Sequence, residues 1–258
     1  FYTMKKMFPY SRKHVVIFYF LNPIVFYAIY IHSQLDIIPT AILVYSIYIL
    51  NKEKVVLSSI VFGLALATKL HVLLVMPLLV IYIYRRINLR KSLYFVFVSF
   101  FILILFDWPF ILSNGFLEMV IFNPKQALLF DSYFSVGRLR ILLPILSVLI
   151  IYFNFYIQKK VNGDYLNFYI SSLFALLIFF ISPTPGWYVW LVPFLSIYFL
   201  RMKMTAGVYL IYSCFNSLYI VFFVFFYTSS EYYDILYFGK PFEVKIDSEN
   251  VTNVSYTM

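Results

Sequence analysis

Residues 21–50, LNPIVFYAIYIHSQLDIIPTAILVYSIYIL, hold two apolar runs split by a short polar break. His32, Gln34 and Asp36 stand at alternate positions in that break. Comparable runs recur at 14–31, 37–50, 55–68, 70–84, 92–107, 141–157, 166–182, 187–200 and 205–227. Hydrophobic residues make up 63% of the 258 and charged residues 12%, with a mean hydropathy of +0.88. A soluble domain of this length needs far more polar surface, so the chain is expected to be solvated by lipid. The expected fold is all-α: a transmembrane bundle of about nine spans over 1–227, followed by an extracytoplasmic tail at 228–258. Several runs fall short of the roughly 20 residues that cross hydrocarbon. Their ends therefore extend into loops, or they are broken helices inside the bundle. The segment 55–84 reads as two short spans meeting at Lys69, or as one long tilted helix.

The net charge of +9 sits in short clusters between apolar runs, a pattern of topology signals with no nucleic-acid groove implied. If Arg12 and Lys13 are cytoplasmic, nine crossings place 51–54, 85–91, 158–165 and 201–204 on the same side. That side then carries Lys5, Lys6, Arg12, Lys13, Lys52, Lys54, Arg85, Arg86, Arg90, Lys91, Lys159, Lys160, Arg201 and Lys203, which is 14 of the 20 basic residues. The acids run the other way, with Glu53 and Asp164 inside and the remaining 9 of 11 outside. Merging 55–84 into one span would spoil this separation, so two spans are preferred. The N-terminus is then cytoplasmic and the C-terminus outside. Outer loops fall at about 32–39, 107–140 and 182–187.

The outer face holds the candidate chemistry. His32 and Asp36, on one face of an extended loop, pair an imidazole with a carboxylate that can handle a proton or bind a divalent metal ion; the alternative is a solvated loop before Pro39 opens a helix. Lys69 either snorkels to the interface or points at an anion within the bundle, and His71 lies two residues on. The long loop of about 107–140 exceeds a simple connection, and its apolar middle, FILSNGFLEMVIF, suits a short interfacial helix. Arg138 and Arg140 sit at a membrane border where guanidinium matches a lipid phosphate. In SPTPGWYVW, 182–190, Trp187 and Trp190 are either membrane anchors or, three residues apart, a stacking platform for a sugar ring.

Lone Cys214 excludes an intrachain disulfide and a cysteine-based metal site. No phosphate-binding glycine motif, dinucleotide fingerprint or H-E-x-x-H occurs, which removes support for nucleotide-driven transport and protease-type zinc chemistry. NVT at 250–252 and NVS at 253–255 are glycosylation acceptor patterns on the expected outer side. The chain opens at Phe1, its first Met is Met4, and no cleavable signal peptide is visible; an N-terminally truncated sequence is expected.

Three stretches, 21–50, GLALATKLHVLLVMPLLVIY at 63–82 and SPTPGWYVWLVPFL at 182–195, together resemble the GT-C class of polytopic membrane glycosyltransferases. The closest flavour is GPI mannosyltransferase I and related archaeal and bacterial sugar transferases. The resemblance rests on Asn22, Pro23, the His32–Asp36 loop, Gly63, Lys69 and Pro77, in that order and spacing. It implies a hexosyltransferase, for mannose or another hexose, that takes its sugar from a polyprenyl-phosphate donor on the outer face. The acceptor would be a lipid-linked glycan or a protein, and the enzyme would sit among membrane lipids of a prokaryotic plasma membrane or the endoplasmic reticulum. The class places an acidic pair in its first outer loop; here Asp36 stands in for it, or the acid lies upstream of Phe1. By the same resemblance Lys69, Arg138 and Arg140 would bind the donor phosphate, and Gln34, His71, Trp187 and Trp190 the substrates, with Asp36 and His32 catalytic. The rival readings are a lipid-linked polysaccharide polymerase or flippase and a secondary transporter. A transporter would carry midplane charges and an internal repeat, and neither is visible in the sequence.

Overall fold

Asn22 and Pro23 break the first apolar run, and the computed structural model, which describes residues 1–122, 130–136, 138–180 and 185–223, shows how. Helix α1 spans Tyr2–Met7, α2 spans Arg12–Val15 and runs on as a π turn through Phe20, and α3 spans Pro23–Phe26 with a π turn to Ile31. Asn22 caps α3, its side-chain oxygen accepting from the N–H groups of Ile24 (2.9 Å) and Val25 (3.2 Å), with Pro23 in the first turn. The segments before and after the break diverge by 48°. A break in an apolar bundle frees carbonyls that need new partners. Phe18 O accepts from Asn22 Nδ2 (3.3 Å) and Ser196 Oγ (2.7 Å), and Ile17 O accepts from the Tyr212 hydroxyl at 2.9 Å.

The remaining helices are α4 (Ile37–Leu50), α5 (Val55–Thr68), α6 (Met76–Arg86), α7 (Leu89–Asp107), α8 (Asn114–Phe116), α9 (Leu143–Ile157), α10 (Gly163–Phe180), α11 (Tyr188–Arg201) and α12 (Ala206–Val221). Among the described residues, α7 and α10 are long and apolar enough to cross a membrane, and the bent 9–31 pair makes a third span if it acts as one. The expectation of nine spans is therefore not supported by helix length. Helices α4, α5, α9 and α12 are apolar but shorter, because polar residues and breaks end them early. The segment 55–84 is indeed divided: α5 stops at Thr68, Lys69 is extended (φ −165°, ψ 125°), and a 3-10 turn over Leu70–Val75 leads into α6.

The all-α expectation holds for the bundle but not for all of the 107–140 loop. Its apolar middle does form the short helix α8, extended by a π turn over Leu117–Ile121, with Ser113 accepting from Phe116 N–H at 3.2 Å. After it, β1 (Tyr133–Val136) pairs antiparallel with β2 (Leu139–Leu142), setting Tyr133 opposite Leu142 and Ser135 opposite Arg140. The 228–258 tail with its two acceptor patterns, and positions 182–184, lie outside the described residues.

Phe18, Phe62, Phe95, Phe155, Phe174 and Phe194 are fully buried, whereas Phe97, Phe101 and Leu105 on α7 are exposed. Large apolar groups on an outer face fit a lipid surround. Between α4 and α5 the Ser46 hydroxyl reaches Ser58 O and the Ser58 hydroxyl reaches Ser46 O, both at 2.9 Å; Ser99 Oγ on α7 donates to Ser59 O at 3.1 Å. Without water as a competitor, small hydroxyl residues let helix backbones approach and bond across the gap. Ser58→Ala removes one of these bonds, and thermal unfolding in detergent is expected to register a loss of about 0.5–2 kcal/mol.

Candidate functional site

The start of α4, the end of α5 and the start of α11 converge on Asp36. Asp36 stands at the N-cap position of α4, yet its carboxylate makes no cap bond. Pro39 is the third residue of that helix and lacks the N–H a capping carboxylate would take. The carboxylate turns instead into the bundle, where Oδ1 accepts from the Lys69 ammonium and from Trp190 Nε1–H at 3.0 Å. Asp36 is 2% exposed, while the Lys69 side chain keeps 43% of its surface. The turn that delivers Asp36 passes through Ser33, whose φ of 53° lies in the left-handed region.

Lys69 reaches this position because α5 ends one residue earlier. Its extended backbone swings the side chain off the helix axis, and the ammonium lies 5.5 Å from the Trp190 ring centroid. His71 stacks on Trp190 at 3.9 Å and 11°, and Trp187 stacks on the same indole at 5.3 Å and 20°. Phe174 sits 6.1 Å from Trp190 and 6.0 Å from His71. Both ring nitrogens of His71 are buried without a hydrogen-bond partner. Trp190 is 4% exposed, so of the two tryptophans Trp187, half-buried, offers the more accessible ring.

The sequence-selected residues thus divide into two groups. Asp36, Lys69, His71, Trp187 and Trp190 form one connected cluster. Gln34 joins its rim: a Cβ built on Gly186 would come within 2.6 Å of Gln34 Cγ, so the 32–36 loop packs directly on the turn before α11. That turn is pinned by the Tyr219 hydroxyl donating to Pro185 O at 2.9 Å. His32 is half-buried at the end of the α3 segment. Arg138 and Arg140 are exposed on the hairpin, Arg140 lying 4.9 Å over the Tyr133 ring; among the described residues no hydrogen bond or ion pair joins them to Asp36 or Lys69. No group of three or more His, Cys, Asp or Glu side chains that could hold a metal ion occurs among the described residues.

Sequence reading missed Phe174 and Gly186. Phe174 lies in an unbroken apolar run and gives no signal; Gly186 sits between a proline and a tryptophan, where a close approach was legible. Residues 2–135 match the family model described as ALG3 protein, a span that includes Asp36, Lys69 and His71 and stops short of Trp187 and Trp190. No curated protein and no solved structure matches the chain.

Proposed function

The chain belongs to the ALG3 protein family, membrane glycosyltransferases that use a lipid-linked donor, and from that premise we propose a mannosyltransferase fed by a polyprenyl-phosphate sugar. The observation that carries this reading is the exposed Lys69 ammonium held by a buried carboxylate. A lysine ammonium has three donors; one is engaged by Asp36 and the others are available to a phosphate oxygen. In the transfer, the bond from the sugar's anomeric carbon to the phosphate oxygen breaks and its electron pair stays on the phosphate. The acceptor hydroxyl oxygen bonds to the same carbon and gives up its proton. Negative charge grows on the departing phosphate, and a fixed cation beside it lowers the barrier.

In this reading Asp36 is a positioning residue. Its Oδ1 is shared by two donors and its side chain is buried, so it aims Lys69 and leaves deprotonation of the acceptor to another group. Trp187 supplies a ring for the sugar, and His71 and Trp190 hold that ring in place. Arg138 and Arg140 are proposed to meet the donor's lipid phosphate from the hairpin. The acceptor we favour is a lipid-linked glycan, since the donor is itself lipid-borne, and the compartment is the endoplasmic reticulum membrane. The Asp36 end of the bundle is taken as the outer, lumenal face and the basic loops as cytoplasmic, with several crossings between.

The test is transfer of labelled mannose from polyprenyl-phosphate mannose to a lipid-linked oligosaccharide in membranes carrying the full-length gene. Product that persists when only a nucleotide sugar is supplied and polyprenyl-phosphate mannose synthesis is blocked would sink the reading. Translocation of an unaltered lipid-linked glycan without sugar transfer would sink it too. Trp187→Ala is expected to raise the acceptor or donor KM about tenfold, as loss of one ring contact worth about 1–1.5 kcal/mol; an unchanged KM would reduce Trp187 to an anchor.

A further inference from the structure

At the other end of α4, about 20 Å from Asp36 for a 14-residue helix, lies a polar cavity of about 420 Å³. Helices α1, α4, α6 and α11 end around it and α10 begins there. Four cations line it, Lys6, Lys52, Arg86 and Arg201, against one acid, Asp164. The lining also includes the amides of Asn51, Asn162 and Asn167. We propose that this cavity binds a phosphate ester of a polyhydroxy compound, either a lipid headgroup or a soluble polyol phosphate, separately from the Lys69 site.

Two features separate it from scattered topology charge. The first is order. Arg86 donates to the Tyr82 hydroxyl at 2.8 Å, and that hydroxyl donates to Asn51 Oδ1 at 2.9 Å. Arg86 also pairs with Glu53 at 3.5 Å and Arg201 with Asp164 at 3.1 Å. The Lys52 ammonium lies 4.4 Å from the Tyr48 ring and the Lys6 ammonium 4.6 Å from the Tyr2 ring. The cations are thus held around a hollow rather than dispersed on loops, and after Asp164 in the lining and Glu53 beside Arg86 are counted a surplus of two positive charges remains. Basic pockets between membrane helices are where phosphorylated headgroups lodge. The second feature is an unpaired acceptor. Asn167 is 5% exposed and its Oδ1 has no hydrogen-bond partner. Such a group is costly to leave unmade. A hydroxyl donor on the ligand would satisfy it, which favours a ligand that carries hydroxyl as well as phosphate.

This inference does not depend on the transferase reading. The purified full-length chain in neutral detergent is titrated with glycerol 3-phosphate, and in a second arm with mixed micelles of phosphatidylglycerol, phosphatidic acid or phosphatidylcholine; the thermal midpoint is followed. A saturable rise with glycerol 3-phosphate identifies a soluble source, and a rise confined to phosphatidylglycerol identifies a headgroup. Phosphatidic acid, lacking the hydroxyls, should bind more weakly, and phosphatidylcholine should give no rise. Lys52→Glu and Arg201→Gln should each weaken the effect about tenfold, as loss of a charge-assisted contact does. Both side chains are exposed, so their midpoints without ligand should stay near wild type. Asn167→Leu should remove the preference for phosphatidylglycerol over phosphatidic acid. No rise in either arm overturns the site. So does an equal loss from Arg90→Gln, an exposed basic residue outside the cavity lining, because diffuse surface charge would then explain the binding.

Discussion

Lys69→Ala is expected to lower mannose transfer from the lipid donor by about tenfold to a hundredfold, the size of a lost charge-assisted contact of about 1.5–3 kcal/mol. On the proposed reading the variant takes away the cation that would stand beside the leaving phosphate, and it leaves Asp36 buried with Trp190 Nε1–H as its remaining partner here. Lys69→Arg should recover part of the loss, because the charge returns but a planar fork replaces a compact ammonium. Asp36→Asn separates positioning from proton transfer. The asparagine oxygen can still accept from Trp190, so the chain should fold, while the donor KM rises as Lys69 loses its aim. In a Lys69→Ala background the same change should add little, since the two act as one unit. A further large drop in that double variant would give Asp36 a role of its own and overturn the positioning reading. Full transfer by Lys69→Ala at normal expression would remove the site altogether.

Gly63→Val is expected to leave little folded protein, and Gly63→Ala to cost about 1–3 kcal/mol by overpacking. A Cβ at position 63 would stand 2.6 Å from Ile102 Cβ and 2.7 Å from the Ser99 carbonyl oxygen. The second of these is backbone of α7, so no rotamer change relieves it and the two helices must separate. Separation also stretches the 3.1 Å bond from Ser99 Oγ to Ser59 O, about one turn away on the same contact. Thermal unfolding in detergent, compared with Gly115→Ala, whose Cβ would meet nothing within 4 Å, checks this. Equal midpoints for the two alanine variants would show that the α5–α7 contact is looser than described.

Polar residues inside an apolar chain announce themselves, which is why Asp36, Lys69, His71, Trp187 and Trp190 stand out in the sequence. What they touch does not. The bond from Trp190 to Asp36 spans 154 residues, and nothing local to either position encodes the other. The break at Lys69 was legible as a cation between two runs, and the bend at 22–23 as an Asn-Pro pair. Helix length was less legible: hydropathy marks where lipid is tolerated, while hydrogen-bond partners such as Ser196 and Tyr212 decide where a helix can stop. Serines 46, 58 and 99 give no such signal, because a hydroxyl in an apolar run looks the same whether or not it has a partner. Arg138 and Arg140 read as cations for a lipid phosphate, and the strand pairing that displays them on a hairpin has no signal in the apolar runs around them.

The carboxylate of Asp36 also sets an order of assembly. Its partner Lys69 is 33 residues away and is synthesised soon after it. Trp190 follows Lys69 by 121 residues, or about 6–24 s at ordinary elongation rates of about 5–20 residues per second. Throughout that interval the nascent chain carries an acid that is only half provided for, beside a lysine free to leave it. Arrival of α11 supplies the second donor to the carboxylate and brings the aromatic rings against it. Newly made chains therefore pass through a stage in which the end of the bundle that carries Asp36 and Lys69 is open and unformed, and it closes only when α11 has been made.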